Sequence, residues 1–373
     1  MKGSSHLADQ ESLAEVISRA MARPLALTRA DRARLLSLES PDDIKAIFDA
    51  AYALKTSLCG KHVAMRALLE VGNVCAKDCL YCGIRRSNAK AVRYRLGADD
   101  IVRLAEDAAE QGYSSLVIQS GEIEDDAQTR LVEEVLRRIA RLDLGVTLSL
   151  GEQTEDVYRR WRDAGATRYL LRIETSNPAL YGRLHPAGHS WHRRVECLRA
   201  LRRCDYQVGT GVMCGLPGQT VGDLADDIGF FADMDVDMIG MGPFIPHPDT
   251  PLADEPMDPE ARLLLGLKMI AVTRLHLHDV NIAAATALQT LAPDGRERGV
   301  LAGANVMMPN ATDTVHRRLY QLYAGKPCME ESSKLCLGCL SRRLEAIGEE
   351  PLFARRGDSL HYRRRKTTME EGK

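Results

Sequence analysis

The feature that most restricts the fold of this chain is an alternation. From about residue 61 onward, short apolar runs of strand length take turns with longer stretches whose apolar residues recur every three to four positions. The strand candidates are residues 63–71, 115–120, 146–150, 169–174, 208–214, 238–243, 282–288 and 306–308. Helical patterns lie between them at 99–111, 126–142, 155–164, 192–203, 221–234 and 259–277. In the first of these, Ile101, Leu104, Ala105, Ala108 and Ala109 share a face. Eight such alternations in about 250 residues predict an α/β fold, a (βα)8 TIM-type barrel over residues 61–310. An open doubly wound sheet is the structural alternative. Residues 1–60 read as an N-terminal helical extension, with helices over 10–23, 28–38 and 41–58. Residues 311–373 read as a short cysteine-containing C-terminal segment, with no internal repeat or low-complexity stretch anywhere.

Charge excludes some functions. Fifty Lys and Arg face fifty-two Asp and Glu among 373 residues, so no global field favours nucleic acid or an anionic membrane. The run Arg363-Arg364-Arg365-Lys366 is short and reads as a solvated tail. Residues 1–6 lead into no long apolar stretch, and charges recur too often for a membrane span. The expectation is a soluble cytoplasmic protein, in which ten cysteines suggest metal ligands rather than disulfides.

Cys75, Cys79 and Cys82 are spaced by three and then two residues, directly after the first strand candidate. A barrel collects its active site at that end of its strands. Three thiolates leave one iron of a four-iron cluster without a protein ligand, and an open metal position is where chemistry happens. Such an iron can chelate the amino and carboxylate groups of S-adenosylmethionine (SAM). Tyr81 adds an aromatic residue just before the third cysteine. A zinc knuckle is the rival reading, but no fourth Cys or His lies nearby at zinc-ligand spacing.

Other motifs fall where strands should end. Gln119-Ser120-Gly121-Glu122 follows the second strand; its glycine lets the backbone approach a ligand, and its polar groups can receive the SAM amino group. On the fourth strand Arg172 and Glu174 lie two apart, which projects both to one face, where they can pair and hold polar parts of SAM. Arg194 on the next helix is a further candidate for the SAM carboxylate. Residues 209–220 form a glycine-rich turn ending in Thr220, a helix cap. Residues 242–251 hold four prolines, and this stiff loop carries His247, Asp249 and Thr250. Thr286, Thr290 and residues 307–310 complete a possible pocket lining. Near the other end, Cys328, Cys336 and Cys339 form a second trio that could hold an auxiliary iron–sulfur cluster with one open iron. Unmetallated thiols or zinc are the alternative there. Cys59, Cys197, Cys204 and Cys214 show no ligand spacing and read as small buried side chains.

From about residue 60 to 345 the chain resembles radical SAM enzymes and, within them, the HydE-type maturases of [FeFe]-hydrogenase. The cysteine loop carries only the superfamily. Residues 147–152, 215–220 and 242–251 and the second trio carry the narrower likeness. Ile173 departs from it, since the family often has His between the Arg and the Glu; a residue flanked by two lumen-facing ones should point away. Biotin synthase and methylornithine synthase share the barrel and the first trio but fit less well elsewhere. The resemblance implies a [4Fe–4S] cluster and SAM, with a second [2Fe–2S] or [4Fe–4S] cluster at the C-terminal trio. It implies an organometallic iron substrate with carbonyl, cyanide and cysteine ligands. It also implies a tyrosine-cleaving radical maturase, a GTPase scaffold and a flavodoxin or ferredoxin donor as partners. The rivals are a paralogue acting on a small amino-acid-derived substrate and a non-catalytic iron–sulfur carrier.

Overall fold

A computed structural model describes residues 11–371 of the chain. The strands are β1 (His62–Met65), β2 (Ala67–Gly72), β3 (Ser115–Ser120), β4 (Gly145–Ser149), β5 (Ala166–Leu170), β6 (Gln207–Thr210), β7 (Met213–Cys214), β8 (Met238–Ile239), β9 (Gly242–Pro243), β10 (Asn281–Ile282), β11 (Val306–Met307) and β12 (Glu350–Leu352). Seven of them form one parallel sheet in the order β10-β8-β6-β5-β4-β3-β2. The sheet curls, and β11 bridges its two edges. The Asn305 and Ala284 amides donate to Ile282 O and Val306 O on one side, and the Leu68 and Ala311 amides to Pro309 O and Leu68 O on the other, at 2.8–2.9 Å. The expected α/β barrel is what the chain builds.

Its elements follow from the sequence locally. Leu116, Val117 and Ile118 of β3 are buried on successive positions, as parallel strands covered on both faces require. The helix Ala98–Glu110 buries Ile101, Leu104, Ala105 and Ala108 on the stripe read from sequence. Side-chain caps start the helices after the strands: Asp125, Thr154, Ser190, Thr220 and Asp258 each accept from a first-turn amide. The N-terminal extension is helical as read, over Leu13–Ala22, Arg29–Leu36 and Pro41–Cys59, and packs against the helix Pro259–Leu277. Residue 10, expected to begin the first helix, and residues 1–6 lie outside the described residues. Among the described residues no helix is long and apolar enough to cross a membrane.

Several expectations need correction. The first strand, read as 63–71, breaks at Arg66 into β1, which pairs with β11 and β12, and β2, which pairs with β3. The fourth strand stops at Leu170, so Arg172 and Glu174 lie past its end; Glu174 sits at φ +67 and only bridges Val212. The fifth and sixth strands each split in two. In the seventh, only Asn281–Ile282 is strand, and Thr286–Leu291 is helical. The run 283–287 is mostly alanine, which favours helix once the ladder ends.

The basic run 363–366 is no solvated tail. It lies on the helix Leu360–Glu371, where Arg364 pairs with Asp279 (2.6 Å), Arg365 with Asp235 (3.0 Å) and Asp237 (2.9 Å), and Lys366 with Asp205. The strap before it, from β12 to Ser359, crosses the N-terminal ends of the barrel strands. Gly357 O accepts from Asn281 Nδ2 and Arg66 Nη2 at 2.9 Å, and Asp358 takes Gln207 Nε2 (2.6 Å) and Arg168.

Candidate active site

The chain leaves β2 at Gly72 and turns at once into the cysteine loop, at the C-terminal end of the barrel. Gly121, just past β3, runs against this loop. A Cβ there would fall on Val74 O and lie 2.8 Å from Cys75 Cβ. That approach brings Glu122 N–H to Cys75 Sγ at 3.3 Å, and the turn of the loop itself adds Lys77 N–H at 3.4 Å, so two amides donate to one sulfur. Burial raises all three thiol pKa values, Cys79 to about 12, and the charge of Cys75 raises both Cys79 and Cys82. The three thiols thus lie within electrostatic reach of one another on a partly buried loop. Among the described residues no three His, Cys, Asp or Glu side chains converge on a single-ion site. A cluster held by thiolates at its separate irons makes no such demand.

Beside the loop lies a buried box of charges. Glu122 meets Lys77 Nζ (3.1 Å) and Arg194 Nη2 (3.4 Å). Glu152 meets Arg194 Nε (2.8 Å), Arg193 Nε (3.1 Å) and Lys77 Nζ (3.2 Å). Burial raises the Glu122 carboxyl. Burial opposes the Glu152 charge as well, but Arg194 and Lys77 outweigh it and hold that carboxyl below its ordinary value. Arg194 is thus already engaged by two carboxylates, as is Glu122 by two cations. Glu152 belongs to this charge box although sequence reading gave it no role. Its signal was position, an acid at the end of a barrel strand, as with Glu122. Gly151 at φ +87 makes the box possible, since a Cβ there would overlap the Glu122 side chain.

Tyr81 hydroxyl and His185 Nε2 lie 3.0 Å apart, and His185 Nδ1 lies 2.8 Å from Tyr181 O. Burial lowers the His185 pKa to about 4, so the ring is neutral at pH 7. Arg172 Nη2 reaches Glu174 Oε2 at 3.0 Å and Val212 O at 3.0 Å. The expected pairing forms, but through the left-handed turn at Glu174 rather than along a strand. Ile173 between them is fully buried in the main core.

Deeper in the barrel, Gln119 Nε2 donates to Tyr320 Oη (3.2 Å), Asn310 Nδ2 donates to Glu70 Oε2 (2.8 Å), and Lys326 pairs with Glu70. Ser120 Oγ turns back onto Gly121 O at 2.5 Å. Residues 319–324 close over the loop: Gly83 N–H donates to Leu322 O (2.9 Å) and Ala324 N–H to Pro246 O (3.3 Å). A Cβ on Gly83 would come within 2.5 Å of the His247 ring, which places the proline loop beside the cysteine loop.

The Radical SAM superfamily profile matches residues 69–231. The chain is 44% identical over 316 residues to the [FeFe] hydrogenase maturase subunit HydE of Thermotoga maritima, covering 85% of this chain and 89% of that one. The chain belongs to the HydE family of radical SAM enzymes. A biotin synthase of Crocosphaera subtropica is 24% identical over 79% of this chain and 78% of its own. The crystal structure of methylornithine synthase (PylB) superposes with a TM-score of 0.79 at 24% identity, covering 91% of this chain and 98% of that one, a likeness of fold.

HydE-family membership implies a [4Fe–4S] cluster and SAM. The residues present fit both: three soft thiols stand on one short loop, two amides already point at a sulfur, and glycines stand where a Cβ would block the approach. The second trio is arranged differently. Cys328 lies in a loop at φ +60, Cys336 is buried on the helix Ser333–Ala346, and Cys339 is exposed one turn further on. The Cys328 and Cys336 thiols are neighbours, and their interaction lowers the pKa of Cys328 and raises that of Cys336.

Proposed function

We propose that Cys75, Cys79 and Cys82 ligate the [4Fe–4S] cluster, with SAM on its open iron. Tyr81, Gln119, Ser120, Gly121, Glu122, Arg172, Glu174 and Arg194 form the SAM cradle, to which Glu152 and Lys77 are added by the charge box. When bound, the reduced cluster supplies the electron that splits SAM into methionine and a 5′-deoxyadenosyl radical. The protein's part is placement and exclusion. The approach of Gly121 to Cys75 sets the cradle against the cluster, and it is the observation that carries this reading. The Arg172–Glu174 pair orients polar groups of SAM toward the lumen. The loop from Leu319 to Ala324 keeps water from the radical's path.

The substrate we propose is a small organometallic iron complex with carbonyl, cyanide and cysteine ligands, made by a tyrosine-cleaving radical maturase. The radical would be aimed at its cysteine ligand, and the product would pass to a GTPase scaffold during assembly of the di-iron cofactor. A flavodoxin or ferredoxin supplies electrons, in the cytoplasm, with no part for nucleic acid or membrane. Cys328, Cys336 and Cys339 hold an auxiliary [2Fe–2S] or [4Fe–4S] cluster, and residues 61–310 act as the catalytic unit between the two flanking segments.

Anaerobic reconstitution with dithionite and SAM should yield 5′-deoxyadenosine, and Cys75→Ala should yield none. Equal product from both would refute the cluster assignment. The chain should also restore [FeFe]-hydrogenase activity to a strain lacking HydE. Failure by well-expressed, cluster-loaded protein would shift the substrate to an amino-acid-derived compound.

A further inference from the structure

Arg93 lies at the base of the cysteine loop and has an unusual set of partners. Its guanidinium donates only to main-chain carbonyls: Nη1 to Asn73 O (2.7 Å) and Ile84 O (2.8 Å), and Nη2 to Arg85 O (2.5 Å), Asn88 O (3.2 Å) and Arg86 O (3.5 Å). Asn73 precedes Cys75 by two positions, and the other four follow Cys82. One planar fork thus ties the start of the loop to its end. The Asn73 side chain, fully buried, reinforces the join by donating to Val92 O (2.7 Å) and Leu319 O (2.8 Å) and accepting from Tyr94 N–H (2.8 Å).

Neighbouring cations are paired with acids: Arg85 with Asp78 (2.8 Å), Lys90 with Asp249 (2.6 Å) and Arg95 with Asp125 (3.2 Å). Arg93 makes no such pair among the described residues, so its charge is left to act on the loop. The same device recurs at the second trio. Fully buried Arg317 donates to Cys328 O (2.9 Å), Glu331 O (2.7 Å), Asn310 O (2.8 Å) and Thr312 O (2.7 Å). Each cysteine trio is therefore held in its segment by one arginine whose hydrogen-bond partners are all carbonyls.

We propose that Arg93 is a positioning residue that holds the Cys75–Cys79–Cys82 loop in ligating shape before iron arrives and sets the potential of the cluster bound there. The inference rests on the assignment of the [4Fe–4S] cluster to these cysteines. It has two separable parts. The fork geometry, which lysine lacks, governs how readily the loop accepts a cluster. The unpaired charge favours the more negative, reduced state of that cluster.

Two variants divide them. Arg93→Lys keeps the charge and loses the fork; Arg93→Gln loses both. With several charge-assisted bonds removed, iron incorporation during anaerobic reconstitution should slow about tenfold or more in both. Redox titration of the SAM-sensitive EPR signal should find the wild-type midpoint in Arg93→Lys and a more negative one in Arg93→Gln. Iron and sulfide content give a readout independent of activity. Wild-type loading rates in Arg93→Lys would overturn the positioning role, and this variant keeps the test open if Arg93→Gln does not fold. Equal midpoints in wild type and Arg93→Gln would overturn the electrostatic role. A wild-type protein that takes up no SAM-responsive cluster would instead refute the cluster assignment itself.

Discussion

Gly121 has no space for a side chain, because what a Cβ would meet is the backbone at Val74 and the stem of Cys75, neither of which can swing aside. Gly121→Ala should therefore push the cysteine loop off the end of β3. The expected result is lower iron retention and weaker SAM binding, measured by iron content and equilibrium dialysis; full iron with unchanged SAM affinity would refute it. Glu152 faces the opposite hazard, that of removing a charge. Three cations surround a side chain that is only 2% exposed. Glu152→Gln leaves Lys77, Arg193 and Arg194 with Glu122 as their remaining carboxylate in the box. A loss of about 3 kcal/mol is expected, measured by denaturant unfolding; a loss under about 1 kcal/mol would show that water already screens the box.

At the scale of elements, strands buried on both faces were readable and their ends were not. β3 matches its sequence reading because nothing interrupts its apolar run. The fourth strand was read too long because its end is decided elsewhere. Gly211 O takes the Glu174 amide and Met213 N–H returns to Glu174 O, and those partners come from another βα unit. The strap and the helix Leu360–Glu371 were unreadable for the same reason, since the aspartates that fix them lie on distant turns. His361 sits between Asp235 (2.5 Å) and Asp279 (3.2 Å), and hydrogen bonds to both raise its pKa to about 9. A histidine raised on folding stabilises fully below its unfolded value near 6.5, and that contribution fades as pH rises through about 9. Relative to His361→Gln, the wild type should gain on the order of 2–3 kcal/mol at pH 6 and nothing by pH 10. Thermal melts at the two pH values check this; a pH-independent difference would refute it.

For the whole molecule, the barrel and the first cysteine trio were legible because both are written in short-range patterns. The charge box and the Glu70–Lys326 pair were not, because each joins segments far apart in the chain; the arginine staples are local, but nothing in sequence tells an arginine bound to carbonyls from one in solvent. The two trios occupy different supports, a loop on the barrel mouth and a loop leading into a later helix, so their losses should be separable. Cys336→Ala should lower iron content while SAM cleavage persists. Unchanged iron would remove the auxiliary cluster, and lost cleavage would make the two sites one functional unit.

The pairing of β1 has a consequence for how the protein comes into being. One neighbour of this first strand is β12, which a ribosome delivers long after β1 itself. Until Glu350–Leu352 emerges, β1 has a bare edge, and the floor of the barrel lacks the Gly357 and Asp358 partners of Arg66, Arg168, Gln207 and Asn281. A nascent chain can present its cysteine loop long before this closure. Residues 350–358 thus decide when the floor of the barrel closes, and a chain cut just before Glu350 should be insoluble even though both cysteine trios are present.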